Sequence, residues 1–410
     1  MLNIDKIRAD FNILDSEKGK NPIYFDSACM SLKPKQVIEA MNDYYFHYPA
    51  CPRSSHKLGE KVTKKVAEAR KLVAKFINAN NENEIIFTRN TTEGINLLAN
   101  SLGLIKGDIV LITDKEHNSN LVPWLVLRDK IGIVVRIIPS NEDGLPRLGE
   151  AGTFNLDNFS KLISGVKLVS IVHTSNLDGG TNPVKEIIEI AHKNNALVFL
   201  DTAQSIPHQR IDVRDLDVDF LAFSGHKMLG PTGTGVFYGK YKLLEKLAPF
   251  MTGGDTVSSS TYEDYKFLPV PEKFEAGLQN YAGIIGLGEA VKYLNQFDFN
   301  DIKEHEFELN SYITKELQKI PQIKIIGPQE AEKRAGIINF YIEGVDMHKF
   351  AIMLDEMAGI EIRSGQHCVH SWFNGKKILN SARVSFYIYN TMEEAKSFIE
   401  NINKIIKIIS

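Results

Sequence analysis

Short apolar runs and helical apolar stripes alternate along the first 240 residues of the chain. Apolar side chains at Val62, Val66, Ala69, Val73 and Phe76 recur at spacings of three and four, which predicts an amphipathic helix. Compact apolar runs typical of buried strands occupy Glu84–Phe87, Asp108–Thr113, Val166–Val172, Ala196–Leu200, Asp219–Phe223 and Val236–Tyr238. Strands that alternate with helices predict an α/β fold with a mostly parallel sheet and helices on both faces.

The pattern changes in the last third of the chain. Alternating apolar positions from Ile337 to Ile342, a helical stripe from Lys349 to Met357 and an apolar run from Ala382 to Ile388 predict a smaller α+β domain. Thr391 and Glu394 form a capping-box pattern, which predicts the start of the last helix. We therefore expect an N-terminal arm at residues 1–22 that packs with the small domain, a large domain at 23–270 and a small C-terminal domain at 271–410.

Composition narrows the class of protein. The chain has 410 residues, a formal net charge of -3 and a hydrophobic fraction of 43%, which suits a folded protein with a large core. Because there is no basic excess, a nucleic-acid partner is not favoured. No apolar run approaches the ~20 residues that span a bilayer, so we expect a cytoplasmic protein without a membrane partner. Cys29, Cys51 and Cys368 show no disulfide or zinc-site spacing, which favours free thiols and predicts no metal site.

Polar side chains follow several of the predicted strands directly. The carboxyl ends of parallel strands meet at one edge of a sheet, where ligands collect. The residues predicted to converge there are Thr91, Thr92, His117, Asn176, Asp201 and Lys227.

Each of these residues has a functional and a structural interpretation. Lys227, between a packed strand and a glycine-rich turn, is either a desolvated amine that attacks a carbonyl or a solvated surface charge. Thr91 and Thr92 begin a helix and form an anion site, a plain N-cap or both. His117 either stacks on a flat ring or serves as a hydrogen-bonded structural residue. Asp201 requires a cationic partner to stay charged where it is buried.

A proline-containing loop before the first long helix carries two further candidates. Arg53 and His56 lie close together in the segment from Pro49 to His56. Loops hold binding groups more often than regular elements do. The alternative is that Arg53 and His56 are surface residues that bind no ligand.

Together these groups match the needs of pyridoxal 5'-phosphate, which requires a lysine for its aldehyde, an acid for its ring nitrogen and an anion site for its phosphate. The chain resembles fold-type I pyridoxal-phosphate enzymes of the class V aminotransferase group, most closely the group II cysteine desulfurases of the Suf type, also called selenocysteine lyases. The motifs that carry the resemblance are Tyr24–Ala28, Thr91–Asn96, Glu116–Asn120, Asp201–Gln204, Phe223–Gly235, Phe274–Gly277, Arg363–Cys368 and Arg383–Ser385.

The resemblance implies a role for each cofactor-site residue. Lys227 would bind the aldehyde of the cofactor and then move protons. Asp201 would hold the proton on the ring nitrogen, and His117 would stack on the ring face. Gln204 and Asn176 would contact the ring oxygen. The phosphate would be bound by residues at the strand ends, namely Thr91, Thr92, Ser224 and His226.

Substrate binding and sulfur chemistry are also implied by the resemblance. Arg383 would bind the substrate carboxylate, and Arg363, Asn176, His56 and Arg53 would complete the substrate site.

Cys368 would attack the sulfur of the substrate, leaving an enzyme persulfide and alanine. The alternative for Cys368 is an apolar filler, the interpretation we give to Cys29 and Cys51. Leu278 stands where relatives carry a threonine that reaches the phosphate of the partner subunit.

We therefore expect a homodimeric cysteine desulfurase that acts on L-cysteine and passes sulfur to a carrier or an iron–sulfur scaffold protein, with L-selenocysteine as the alternative substrate. A class V lyase, epimerase or aminotransferase that does not use Cys368 is the alternative within the cofactor class. A cofactor-binding protein that docks partners with little turnover is the alternative from a different class.

Overall fold

The computed structural model of the chain describes residues 2–14, 22–139 and 156–409. Its strands are β1 Ile23–Tyr24, β2 Ile85–Thr88, β3 Ile109–Thr113, β4 Val134–Ile138, β5 Val166–Val172, β6 Leu197–Asp201, β7 Phe220–Ser224, β8 Gly235–Gly239, β9 Val257–Ser260, β10 Tyr265–Phe267, β11 Ile323–Ile326, β12 Ile337–Ile342, β13 Ile360–Glu361, β14 Arg363–Gly365 and β15 Ser381–Ser385. Its helices are α1 Ile4–Arg8, α2 Lys35–His47, α3 Lys57–Phe76, α4 Thr91–Ser101, α5 Val122–Ile131, α6 Leu156–Leu162, α7 Val184–Lys193, α8 Val213–Leu216, α9 Tyr241–Leu244, α10 Tyr281–Leu294, α11 Phe299–Leu317, α12 Met347–Ala358, α13 His370–Lys376 and α14 Met392–Ile409.

A seven-stranded sheet in the order β2-β8-β7-β6-β5-β3-β4 forms the centre of the described residues. The pairs from β7 through β6, β5 and β3 to β4 are parallel, whereas β8 pairs antiparallel with both β2 and β7. Every residue of β7 and β8 is buried, as expected for strands covered on both faces. The predicted α/β fold with a mostly parallel sheet is confirmed, and the strand predicted at Asp219–Phe223 begins and ends one residue later.

A smaller antiparallel sheet, β11-β12-β15-β14, packs with α11, α12 and α14 around a second apolar core. The capping box predicted for the last helix is present. The Thr391 backbone N–H donates to Glu394 Oε2 at 3.0 Å, and the Glu394 N–H donates to Thr391 Oγ1 at 3.1 Å. Strand β15 ends at Ser385, earlier than the apolar run that extends to Ile388. No helix in the described ranges is long and apolar enough to cross a membrane.

The N-terminal arm joins residues that are distant in sequence. Arg8 Nη1 donates to the Tyr389 carbonyl at 2.6 Å and pairs with Glu394 Oε1 at 2.8 Å. Phe11 packs edge-on against Tyr389, with ring centroids 4.9 Å apart. These contacts tie the arm to the segment that follows β15. The boundaries proposed at residues 22 and 270 stay a prediction, and residues 15–21 lie outside the described ranges.

Candidate active site

One cavity lies where the central sheet meets the small sheet. Its lining includes all the predicted site residues except Arg53 and His56, namely Thr91, Thr92, His117, Asn176, Asp201, Gln204, Ser224, His226, Lys227, Arg363, Cys368 and Arg383. Most of them follow the ends of β3, β5, β6 and β7 or begin α4, because parallel strands deliver their carboxyl ends to one edge. Arg363 and Arg383 come from β14 and β15, where they are directly paired.

Asp201 and Lys227 form the acid and base of the cavity. Asp201 is the last residue of β6, and its Oδ1 accepts a hydrogen bond from the Ala203 N–H at 3.0 Å. Burial raises the Asp201 pKa, against the effect of the Ala203 N–H and the Lys227 charge. Burial lowers the Lys227 pKa, and the Asp201 charge opposes that shift. The amine of Lys227 is therefore easier to deprotonate than an exposed lysine, as a nucleophilic amine requires.

The N-terminus of α4 lies at the cavity, and the hydroxyl groups of Thr91 and Thr92 there each pair with a serine hydroxyl. Asn90 caps this helix, since its Oδ1 accepts from the Glu93 N–H at 3.0 Å, so the N-cap interpretation of Thr91 and Thr92 is wrong. The Thr91 N–H instead donates to Ser224 Oγ at 2.9 Å, and Thr92 Oγ1 lies 2.7 Å from another hydroxyl oxygen, Ser119 Oγ. A helix N-terminus beside three or four hydroxyl groups suits a phosphate.

Three histidines line the cavity, His117, His226 and His367, and burial lowers the pKa of each, so their rings are uncharged at physiological pH. Burial, followed by the charges of Lys227 and Arg383, lowers the pKa of His117 to about 3. The Ser119 N–H donates to His117 Nδ1 at 3.1 Å, so the ring proton lies on Nε2 and the ring orientation is fixed. Burial and the Lys227 charge also lower the pKa of His226 to about 4. His117 thus presents a flat, uncharged ring to the cavity.

Four residues that line the cavity each have one buried polar atom without a hydrogen-bond partner: Gln204 Oε1, Asn176 Oδ1, His367 Nδ1 and Arg383 Nε. Their side chains are otherwise anchored, because Gln204 Nε2 donates to the Ala28 carbonyl at 2.6 Å and Asn176 Nδ2 donates to the His367 carbonyl at 2.7 Å. Arg383 donates to the Asn176 carbonyl at 3.0 Å and to Asp26 Oδ1 at 3.3 Å. Unpaired buried polar atoms are costly, so the cavity is suited to a polar ligand that both donates hydrogen bonds to the amide oxygens and accepts one from Arg383 Nε.

Cys368 sits on a tightly held turn. His367 and Cys368 both adopt left-handed backbone conformations, with φ of 49° and 59°. Non-glycine residues rarely take this conformation, and two in succession occur where the surrounding structure forces them. The Asn118 N–H donates to the Cys368 carbonyl at 2.7 Å and so ties this turn to the large sheet. The thiol is partly exposed to the cavity, which contradicts the interpretation of Cys368 as a buried apolar filler.

Two further residues of this region, Cys29 and Glu116, were not among the predicted site residues. Cys29, interpreted as a filler, lines the cavity, and Arg363 Nη1 donates to its sulfur at 3.1 Å. Its position in the turn directly after β1 is the signal that could have identified it. Glu116 is buried behind the cavity and accepts from Thr113 Oγ1 at 2.6 Å and Asn120 Nδ2 at 2.7 Å. Burial raises the pKa of Glu116 to about 7.

Two predicted substrate residues lie elsewhere in this chain. Arg53 forms an ion pair with Asp255. His56 caps α3, with its Nδ1 accepting from the Gly59 N–H at 3.2 Å. Neither lines the cavity, so their predicted contact with substrate is not made within this single chain. Leu278, at the position where the sequence predicts the loss of a contact to the phosphate of the partner subunit, is 71% exposed in the single chain.

The comparisons with known sequences and with solved structures agree on one family. The sequence profile described as aminotransferase class-V matches residues 23–398. A protein of Halalkalibacterium halodurans named "Probable cysteine desulfurase" is 41% identical over 409 residues, covering 98% of this chain and 98% of the relative. The apo structure of a cysteine desulfurase from Thermococcus onnurineus is 36% identical, with a TM-score of 0.92 and coverage of 99% of each chain. The Escherichia coli cysteine desulfurase CsdA, solved as its S-sulfonic acid, is 31% identical with a TM-score of 0.88, covering 100% of this chain and 99% of that chain.

Proposed function

The chain belongs to the class-V aminotransferase family, and we propose that it is a pyridoxal-phosphate-dependent cysteine desulfurase of the Suf type. The reaction converts L-cysteine to L-alanine and leaves the sulfur as a persulfide on Cys368. The observation that carries this proposal is that Cys368 lines the same cavity as Lys227 and Asp201. A generic aminotransferase has no need of a thiol at that place.

The cavity residues would hold the cofactor in one orientation. Lys227 would bind the aldehyde, Asp201 would face the ring nitrogen, and the neutral ring of His117 would cover one face. The phosphate would lie at the N-terminus of α4 beside Ser224 and His226. When bound, pyridoxal phosphate supplies an electron sink that stabilises negative charge on the substrate carbons. The unpaired Oε1 of Gln204 and Oδ1 of Asn176 are acceptors, so N–H or O–H groups of the bound cofactor and substrate would satisfy them.

Arg383 and Lys227 would orient and deprotonate the substrate. The guanidinium of Arg383 is anchored through its two terminal nitrogens, so Nε is the donor without a partner. A substrate carboxylate beside Arg383 would place the substrate amine toward Lys227 and its sulfur toward the Cys368 turn. The lowered pKa of Lys227 allows Nζ to accept a proton from the substrate and to return one to the product.

The transfer of sulfur from L-cysteine to Cys368 requires no added oxidant. The Cys368 thiolate attacks the sulfur of L-cysteine, an S–S bond forms, and the C–S bond breaks. The electron pair of the C–S bond stays with the carbon skeleton, which takes up a proton and leaves as alanine. Arg363 and Arg383 line the same cavity as Cys368, so the sulfur step would take place in a cavity that carries positive charge.

The test is to purify the protein, record its visible spectrum and then supply L-cysteine with a thiol reductant while alanine and sulfide are both quantified. A yellow protein that releases the two products in equal amounts supports the proposal. Cys368→Ser should abolish sulfide release, whereas Cys51→Ser, which changes a thiol outside the cavity, should retain it. A yellow protein that converts amino acids equally well after Cys368→Ser would instead indicate a lyase or aminotransferase.

Several features of the cellular role are part of the same proposal. The persulfide would pass to a sulfur carrier or an iron–sulfur scaffold protein in the cytoplasm. L-selenocysteine is the second candidate substrate, and a competition assay against L-cysteine distinguishes the two.

We also propose a homodimer. Exposed apolar side chains support this assembly, since Phe46, Tyr262, Tyr265 and Leu278 are each more than half exposed in the single chain. Light scattering at several protein concentrations would measure the mass of the assembly.

A further inference from the structure

The cavity contains a second thiol that the reaction described above does not use. Cys29 lies in the turn after β1, and its backbone N–H donates to the Asp26 carbonyl at 3.0 Å. Its side chain lines the cavity together with Lys227 and Cys368. Both cysteines lie close enough to Lys227 to interact electrostatically with its amine. Two cysteines, carried by separate segments of the chain, therefore face one reaction space.

Two guanidinium groups lie near the sulfur of Cys29. Arg363 Nη1 donates to Cys29 Sγ at 3.1 Å, within the range of a hydrogen bond to sulfur. Arg383 also interacts electrostatically with Cys29. The Arg383 side chain is 3% exposed, and its Nε has no partner. A thiol that only filled space would be expected among apolar groups, not between two guanidinium groups.

We propose that Cys29 is a second sulfur-accepting residue that takes the terminal sulfur from the Cys368 persulfide. This inference rests on the proposed desulfurase function. The Cys29 thiolate attacks the outer sulfur of Cys368–S–SH. A new S–S bond forms at Cys29, the bond within the Cys368 persulfide breaks, and Cys368 leaves as a thiolate. The exchange is neutral in electrons, so no oxidant or reductant is consumed.

The transfer has a functional consequence for turnover. Once its sulfur has moved to Cys29, Cys368 is a free thiolate again and can attack a second substrate. Each active site would then hold two sulfane sulfurs before an acceptor arrives. The guanidinium of Arg363 would stabilise the charge of the persulfide anion on Cys29.

The experiment uses the holoenzyme with excess L-cysteine and no reductant or acceptor. The reaction is quenched with iodoacetamide at short times, alanine is measured, and digested peptides are analysed by mass spectrometry. We expect persulfide on both the Cys29 and the Cys368 peptides. The alanine burst of the parent should be roughly twice that of Cys29→Ala, because only one thiol stores sulfur in the variant. Cys51→Ala is the matched control and should keep the full burst.

A second arm separates the transfer from turnover. The protein is treated with inorganic polysulfide in place of L-cysteine, and persulfide on Cys29 is compared between the parent and Cys368→Ser. We expect labelling of Cys29 to fall by about tenfold or more when Cys368 is absent, because the sulfur arrives through Cys368. Cys29→Ser, with its cofactor content measured, guards against a variant that fails to fold.

The outcomes separate the two proposals. Alanine formation with persulfide confined to Cys368 would overturn the role of Cys29 and leave the desulfurase function intact. A Cys29–Cys368 disulfide with released sulfide would also overturn it, since Cys29 would then have attacked the inner sulfur. Absence of both alanine and Cys368 persulfide would refute the desulfurase function, and the role of Cys29 with it.

Discussion

The Arg70–Glu275 ion pair connects α3, β2 and the segment that precedes α10. Arg70 Nη1 and Nη2 donate to the two carboxylate oxygens of Glu275, each at 2.8 Å. The Phe87 N–H donates to Glu275 Oε1 at 2.7 Å, and Arg70 Nη1 also donates to the Ile85 carbonyl. The two side chains are only 11% and 10% exposed. Glu275 therefore neutralises the nearly buried charge of Arg70 and accepts a hydrogen bond from one N–H of β2.

We predict that Glu275→Gln destabilises the protein by about 3–5 kcal/mol, the usual cost of leaving one charge of a buried pair without its partner. Glutamine keeps the shape but offers one oxygen in place of two and no charge. Burial lowers the pKa of Arg70, but the Glu275 carboxylate outweighs this and the pKa is raised, so arginine stays protonated in the parent. In the variant its main remaining partner is the neutral Ile85 carbonyl.

Urea unfolding of the holoenzyme, followed by circular dichroism, measures the effect. Glu60→Gln is the control, because it removes an exposed i,i+4 pair with Lys64 and should leave the unfolding transition unchanged. The double variant Arg70→Met/Glu275→Met should lose less stability than Glu275→Gln, since no charge is left buried. A loss below about 1 kcal/mol for Glu275→Gln would refute the reasoning, because surface pairs already reach that value.

Three further predictions concern the site, the pH response and the last helix. Asp201→Asn should lower kcat/KM for L-cysteine by about 10²-fold or more with the fold intact, because the amide carries no negative charge to pair with the ring nitrogen of the cofactor. Cofactor titration and steady-state kinetics would measure this loss, and near-parental activity would contradict the prediction. Burial lowers the pKa of His173 to about 4, below the unfolded value of 6.5, so stability should fall as pH drops from about 6.5 toward 4, by about 1.4 kcal/mol per pH unit from this residue. His173→Asn should flatten that slope in urea titrations, whereas replacement of the exposed His47 should not. Thr391→Ala should cost about 1 kcal/mol by removing the cap bond to the Glu394 N–H, measured by thermal unfolding, and an unchanged Tm would contradict the capping role.

Periodicity and strand-end chemistry were sufficient for much of the fold and the site. The apolar stripe from Val62 to Phe76 lies within α3, and the acid Asp201 ends β6 as predicted. Burial on two faces forces parallel strands to be apolar throughout, so their ends are visible as the first polar residues. The sequence alone therefore determined which side chains of the large domain share one sheet edge. It also determined the cofactor class through the residues that this edge displays.

Only the tertiary structure showed that Cys29 lines the cavity and that Arg53 and His56 do not. Cys29 and Arg363 are 334 positions apart, yet their side chains make a hydrogen bond. Arg53 and His56 do not follow a strand of the large sheet in the sequence. Arg53 pairs with Asp255, and His56 accepts a hydrogen bond from the Gly59 N–H. Packing between sheets depends on side-chain shape and long-range contacts, which a local pattern of apolar and polar positions does not encode.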